Sequence, residues 1–383
     1  MNADEADARG HETEPPIENS TEESSNPLDR SDDDRADDDR AEAAPRSRRR
    51  TVLRRLLISV GVLALVLAMI IGGGIWFVSA RYAGNVARIS DVFGGLDQSS
   101  RPAPATSAAD PGGTPTTFLL VGSDTRSHPA SGTAPDGRSD AIMIARLSAD
   151  RQHAQLVSIP RDSWVPIPGH GTSKINAAYA WGGATLLIQT VEQLTGVRID
   201  HYVAVDFDGI NQVTDALGGV DVTVAATTTN GPYTFTAGPN HITGEMARWY
   251  LGQRHELAGG DFDRVKRQQT YLRSVFNKLF SSNTFTDPGK LDSALRALTS
   301  AVSIDDTLSS TDLLTLAYSM RNLSPAHVAF FTAPVLGTGM EGAASVVYLD
   351  QVTGQRMWDY LKTDSLAQNA GEFSRQALGD NPR

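Results

Sequence analysis

Asp124 in "GSDTR", Asp140 in "GRSD" and Arg161 in "SIPRDSW" each stand where a short apolar run meets polar turn residues. Arg126, Arg138 and Asp162 are their neighbours in sequence. A second group lies in "RHELAGGDFDRVKRQQ", residues 254–269. There Arg254 precedes a Gly-Gly turn, and Arg264, Arg267 and Gln268 have the i, i+3, i+4 spacing that shares one helix face. Two carboxylates with several guanidinium groups have few chemical uses. Aspartate oxygens suit Mg²⁺, which takes hard oxygen ligands and usually keeps substrate phosphates in its shell. Guanidinium forks bind phosphate oxygens bidentately and offset charge that develops in a transition state. The free N–H groups and dipole of a helix N-terminus favour an anion as well. Plain salt bridges, worth about 0–1 kcal/mol each at a surface, or a solvated basic helix face would account for the same residues. A hydrolase using the carboxylates as an acid–base pair is disfavoured, because nearby arginines hold both ionised. Lys266 and Gln269 point off the shared face and are expected to be solvated.

Strand order determines whether these residues meet. "TFLLVGSD", "AIMIARL" (141–147) and "HAQLVSI" (153–159) read as three successive strands. Short connections favour antiparallel neighbours. Strand 118–122 then ends, strand 141–147 starts and strand 153–159 ends at one sheet edge, which brings Asp124, Asp140 and Arg161 together. Further along, the pattern predicts a helix over 182–196 with a Gly stop, a strand over 201–207, a helix over 207–219 and a strand over 220–226. A long amphipathic helix runs from the basic segment to about Phe280. Helices near 290–302 and 310–323, a strand over 327–335 and a strand–helix pair over 345–362 follow. The mixture predicts one α/β domain with a mixed central β-sheet flanked by helices.

Charge and hydropathy divide the rest. Residues 1–45 hold 16 acidic residues against 4 arginines, so most of the chain's net charge of −11 belongs to this tail. Residues 1–55 are expected to be a disordered acidic cytoplasmic tail with a basic end, "RSRRRTVLRR". Residues 56–80, "LLISVGVLALVLAMIIGGGIWFVSA", lack any charge, and about 20 apolar residues suffice to span a bilayer. The run is too long and too far into the chain for a signal peptide. Arginines before it predict a single transmembrane helix with the N-terminus cytoplasmic and everything after Arg81 outside the plasma membrane. Residues 81–116 are expected to be a stalk or linker, 117–281 the catalytic core, and 282–383 a C-terminal α/β extension of the same domain. Cysteine is absent, which excludes disulfides and thiolate metal sites. The folded part is not basic, so a nucleic-acid ligand is not expected.

"FLLVGSDTR", "GRSDAIMIARL", "VSIPRDSWVPIPGHGTSKINAAYAWGG", "DHYVAVDFDGINQVTDALGGVDV" and "GGDFDRVKRQQ" occur in the order found in LytR-CpsA-Psr proteins, and the chain resembles that family over about 118–281. The resemblance implies a Mg²⁺-dependent phosphotransferase outside the plasma membrane. Such an enzyme takes a glycopolymer, of the teichoic acid or arabinogalactan kind, from a polyprenyl-pyrophosphate carrier and joins it to peptidoglycan by a phosphodiester. It also implies an apolar tunnel for the lipid. The family's metal-binding carboxylates fall on Asp124 and Asp140, its pyrophosphate-binding arginines on Arg138, Arg161, Arg254 and Arg264, and its polar partner on Gln268. Where the family often has Arg-x-Arg, this chain reads "YLGQRHE": Gly252 stands at the first position, so either the pyrophosphate grip is weaker or Arg126 or Arg267 substitutes. Should the reaction use a base, Asp162 is the candidate. Two other readings remain open at this stage, a polyprenyl-pyrophosphate hydrolase and a non-catalytic wall-binding or regulatory anchor.

Overall fold

Along the sheet's second strand, Thr117, Leu119 and Val121 are fully buried while Phe118 and Leu120 between them are half-buried. This period of two marks a strand with one closed face. A computed structural model of the protein describes residues 81–104, 113–123, 139–253, 255–281, 284 and 286–379. The acidic tail, the transmembrane helix expected at 56–80, and Asp124, Arg126, Arg138 and Arg254 lie outside the described residues. Among the described residues no helix is long and apolar enough to cross a membrane.

In chain order the elements are β1 (Ala87–Ile89), β2 (Thr116–Ser123), β3 (Ser139–Leu147), β4 (Ala154–Ser158), β5 (Trp164–Ile167), β6 (Gly171–Lys174), α1 (Ile175–Thr195), β7 (His201–Asp206) and α2 (Phe207–Ala216). Then come β8 (Val220–Val224), β9 (Thr228–Asn230), β10 (Tyr233–Phe235), β11 (Gly238–Ile242), α3 (Gly244–Gly252) and α4 (Asp261–Leu279). The last are α5 (Pro288–Ala301), β12 (Val302–Asp305), α6 (Ser310–Ser319), β13 (Val328–Thr332), β14 (Val335–Glu341), β15 (Ala344–Leu349) and α7 (Gln351–Lys362). Seven strands form the central sheet in the order β1-β12-β7-β2-β3-β4-β13. The β2–β3 and β3–β4 pairs are antiparallel, as expected, whereas β2–β7, β4–β13 and β1–β12 are parallel. The sheet is therefore mixed. Leu119, Val121, Ile144 and Val157 close one face against Leu187, Ile188 and Val191 of α1 and Met357 and Leu361 of α7. A second apolar cluster joins α2, α3, α4 and α5 to the β8–β11 pair.

Several expectations change. The strand predicted at 220–226 stands outside the central sheet and pairs with β11. β12, absent from the sequence reading, lies between β1 and β7. It has only four residues and follows directly on a helical run, so periodicity cannot show it. The span α1 joins two helices across a break where Gly182 and Gly183 leave helical angles; the second is the one expected over 182–196, and the first, from Ile175, is unexpected. The end of the second matches: Gly196 takes a left-handed φ of 65° and returns its N–H to Glu192 O. Residues 81–104, expected as part of a stalk, are packed onto the domain. Arg81 and Tyr82 both bond Asp292 of α5, β1 joins the sheet, and Val92 and Leu96 enter the core.

Candidate functional site

The site begins with an irregularity in pairing. Gly122 faces Ala141 and Ser123 faces Ser139, so Asp140 has no partner across β2. Such a bulge adds a residue to one strand and re-aims its side chain, often beside a functional site. Ser123 also lies opposite Asp206, the last residue of β7, so a further carboxylate-bearing residue ends at the same edge.

Arg161 reaches this edge from the loop after β4. The loop is fixed by its backbone: Ser163 N–H donates to Pro160 O, Asn176 N–H to Arg161 O, and Val347 N–H of β15 to Asp162 O. Its guanidinium pairs with the Asp140 carboxylate. Lys174 Nζ holds Asp162 at 3.0 Å. The other Asp162 oxygen lies 3.8 Å from Arg161 Nε.

α4 supplies the third side. Gly260, at φ 57°, turns the chain into the helix in a conformation that costs glycine little. Arg264, 2% exposed, lies with Nη1 3.8 Å from Asp140 Oδ1, and Gln268 Nε2 donates to Asp140 O at 3.4 Å. Both residues therefore meet the bulge. Asp261 in the first turn pairs with Arg264 and lies 3.7 Å from Arg161 Nε. Sequence reasoning missed it, although "GGDFDR" places an acid three residues before an arginine. Burial raises the Asp261 pKa, against the opposing pull of Arg264 and Arg161 and with a smaller push from Asp162 and Asp140. Two buried atoms here, Arg161 Nε and Asp261 Oδ2, have no hydrogen-bond partner among the described residues. Arg161 Nε stays within ion-pair reach of both Asp162 and Asp261, at 3.8 and 3.7 Å.

The remaining basic residues of the segment go elsewhere. Arg267 lies about 60° round the helix from Arg264, on the opposite side from Gln268. It donates to Gln253 Oε1 and Thr228 Oγ1 and stacks over Tyr250, 4.9 Å from the ring centre. It is not brought to Asp140. Gln269, expected to be solvated, is buried: its Nε2 donates to Ser158 Oγ, Phe331 O and Thr332 Oγ1, locking α4 onto β4 and β13. Lys266 remains partly exposed.

Beside the cluster opens a cavity of about 710 Å³ whose wall includes Asp140, Arg264, Arg248 and Trp249. The volume falls in the usual range for a small-ligand site. A carboxylate on a fixed bulge, two guanidinium groups and an open cavity can seat a phosphate-rich group and hold charge against it.

Comparisons with known proteins agree with this frame. The LytR_cpsA_psr family model matches residues 96–363, extending beyond the motif-bearing stretch at both ends. The cell wall biosynthesis protein LcpA of Corynebacterium glutamicum is 34% identical over 61% of this chain, which spans about half of that relative's length, 53%. The polyisoprenyl-teichoic acid–peptidoglycan teichoic acid transferase TagU of Bacillus mycoides is 32% identical over 61% of this chain and 75% of its own. A crystal structure of B. subtilis TagV superposes with a TM-score of 0.54 at 26% identity, over 65% of this chain and 97% of that one. B. subtilis TagT gives 0.52 at 25% identity, over 70% and 98%. With the ordered motifs, the sheet they build and a family match over most of the chain all in agreement, this protein belongs to the LytR_cpsA_psr family.

Proposed function

We propose that the protein is a membrane-anchored phosphotransferase that moves a glycopolymer from a polyprenyl-pyrophosphate carrier to peptidoglycan through a phosphodiester bond. The observation that carries this reading is the meeting of Asp140, on its bulge, with Arg161 and Arg264 from two other parts of the chain, Asp140 and Arg264 also lining a cavity. The names of TagU and LcpA support the reaction class. The charge-free run at 56–80 supports a single-span anchor with the domain outside the plasma membrane. Leu120 and Val205 share the sheet face opposite α1 and remain half-buried, which suits a lipid lying along that face.

In the proposed reaction the acceptor sugar's hydroxyl oxygen attacks the phosphorus next to the glycan, and the bond from that phosphorus to the carrier's phosphate breaks. Polyprenyl phosphate leaves. Arg161 and Arg264 bind the equatorial and leaving oxygens, and Gln268 steadies the bulge through the Asp140 carbonyl. Positioning and charge stabilisation dominate phosphoryl transfer. If the hydroxyl proton is taken by a side chain, the candidates are Asp162, one oxygen of which Lys174 holds, and Asp261, one oxygen of which Arg264 holds.

The donor set fits magnesium. Among the described residues no group of three or more His, Asp or Glu could hold a metal, but Mg²⁺ commonly takes only one or two carboxylates and completes its shell with phosphate and water. Asp140 and Asp124 would hold the ion, which would neutralise diphosphate oxygens as charge moves onto them.

The test incubates the full-length protein in detergent with a synthetic lipid-linked pyrophosphoryl glycan, peptidoglycan and Mg²⁺, followed by mass analysis. Acceptor-linked product is expected, and released phosphate without it would favour a hydrolase. Arg161→Ala should slow transfer by about 10²–10³-fold, as for loss of one preorganised donor. Transfer within twofold of wild type would contradict the scheme.

A further inference from the structure

The chain reaches the folded domain at the same sheet edge that carries Asp140. β2 and β7 run parallel, so Ser123 and Asp206 end them together beside Asp140. β12 runs against β7, with Val302 opposite Val205, and β1 runs along β12, with Ala87 opposite Ser303. Both strands therefore start at that edge. Shortly before β1, Arg81 is bonded to Asp292 of α5, and the charge-free run 56–80 ends immediately before Arg81 in sequence.

Toward the opposite margin of the sheet, the β14–β15 hairpin is rooted at this edge too. β13 runs parallel to β4, whose end leads into Arg161, and Val347 N–H of β15 donates to Asp162 O. Among the described residues the large non-aromatic side chains most open to solvent are Val352, Leu336 and Met340, at 77, 75 and 62% exposed. All three belong to this hairpin or to the helical turn beside it. Leu336, Thr338 and Met340 alternate with the less exposed Val335, Gly337 and Gly339, so they form the outer face of β14. Asp350 N–H donates to Pro334 O, which sets the first turn of α7, with Val352, against the hairpin's root. Single exposed apolar residues need no explanation, but a group of them marks a contact surface.

Strand order puts β1 at one margin of the sheet, β13 at the other, and β3 with Asp140 between them. At about 4.8 Å between neighbouring strands the two margins stand about 30 Å apart. The chain arrives from the charge-free run at the first margin and the apolar hairpin stands at the second, with the site along the line between. Apolar side chains placed so bury themselves at the boundary of headgroups and acyl chains. Resting on the single-span transferase reading, we propose that Leu336, Met340 and Val352 dip into the outer leaflet of the membrane that the 56–80 run crosses. The domain then stands on the bilayer at two points, with Asp140, Arg161 and Arg264 turned to the headgroups between them. A lipid carrier's diphosphate lies at headgroup level, and the site meets it there.

Because the chain has no cysteine, a single introduced one reports from one place. Leu336→Cys, Met340→Cys, Leu67→Cys in the charge-free run and Gln152→Cys in the β3–β4 turn at the far edge each carry an NBD fluorophore. The full-length protein is placed in nanodiscs of phosphatidylglycerol and phosphatidylethanolamine, with and without doxyl-labelled lipid. Labels at 67, 336 and 340 should emit to the blue and be quenched by doxyl lipid, while the label at 152 should be quenched by aqueous iodide alone. Lipid quenching at 67, with 336 and 340 as open to iodide as 152, overturns the proposal and leaves the anchor and the transferase reading intact. Labels at 336 and 340 shielded from iodide but untouched by doxyl lipid mean that a second copy covers them, which overturns it as well. A label at 67 open to iodide sinks the single-span reading, and the proposal with it. As a second measurement, Leu336→Asp with Met340→Asp should slow transfer from a long-chain lipid-linked donor in the nanodisc by about tenfold, the scale of one apolar side chain lost from lipid. Transfer from a geranyl-linked donor in solution should be unchanged. Equal slowing with both donors, or with neither, counts against the membrane contact.

Discussion

At the scale of the residue, the most informative side chain is one the motifs did not single out. Asp261 sits between two guanidinium groups that favour its charge, yet burial prevails and its pKa is raised. A base must be ionised to accept a proton. If Asp261 takes the acceptor's proton, transfer should therefore decline as pH falls through a value above the ordinary aspartate range. Asp261→Asn should erase that acidic limb in a pH–rate profile and slow transfer by about 10²-fold or more. An unchanged limb in the variant would remove Asp261 from the reaction. Arg264 and Gln268 were legible because a four-residue helical spacing forces them onto one side. Arg267 shares that spacing only loosely, and Tyr250 and Gln253, brought in from α3 and the residue after it, decide its direction. No local pattern contains that information.

Among the elements, β2, β3 and β4 could be read directly, since apolar runs of strand length separated by turn residues leave few alternatives to neighbouring antiparallel pairs. Their edge follows from chain direction alone, so the meeting of Asp140 and Arg161 was within reach of the sequence. The bulge was not, because one extra residue in a register alters no composition. α4 shows the same division. Its length and amphipathic character are evident in "DFDRVKRQQTYLRSVFNKL", but Gln269 looks like a solvated amide until β4 and β13 close over it. Its three hydrogen bonds join the helix to two strands. Gln269→Leu leaves those buried partners unfilled, and denaturant melts should show a loss of about 1–3 kcal/mol. A stability within experimental error of wild type would show that the helix is fixed by its apolar face alone.

For the molecule as a whole, the stretch after residue 281 is part of the sheet. β12 lies inside it and β13 completes the far edge, while β15 fastens the Arg161 loop through Val347. A chain ending at residue 281 should therefore fail to fold, although it keeps every quoted motif, and circular dichroism with soluble yield would show it. Soluble, native-like protein would mean that β7 tolerates an unpaired side. The sequence placed β13, β15 and the helices of this region but not β12 and β14; β12 is a four-residue strand with little periodicity, and its role comes from partners far away in the chain.

β1 has a further implication. Ala87 stands opposite Ser303, and the two are made at widely separated moments of synthesis. While the ribosome works through the intervening segment, the nascent chain holds its first strand without a mate. Contacts of such long range are slow to form, so the pairing of β1 waits until β12 has been translated. A product stopped before β12 then leaves β1 without its partner strand from the outset.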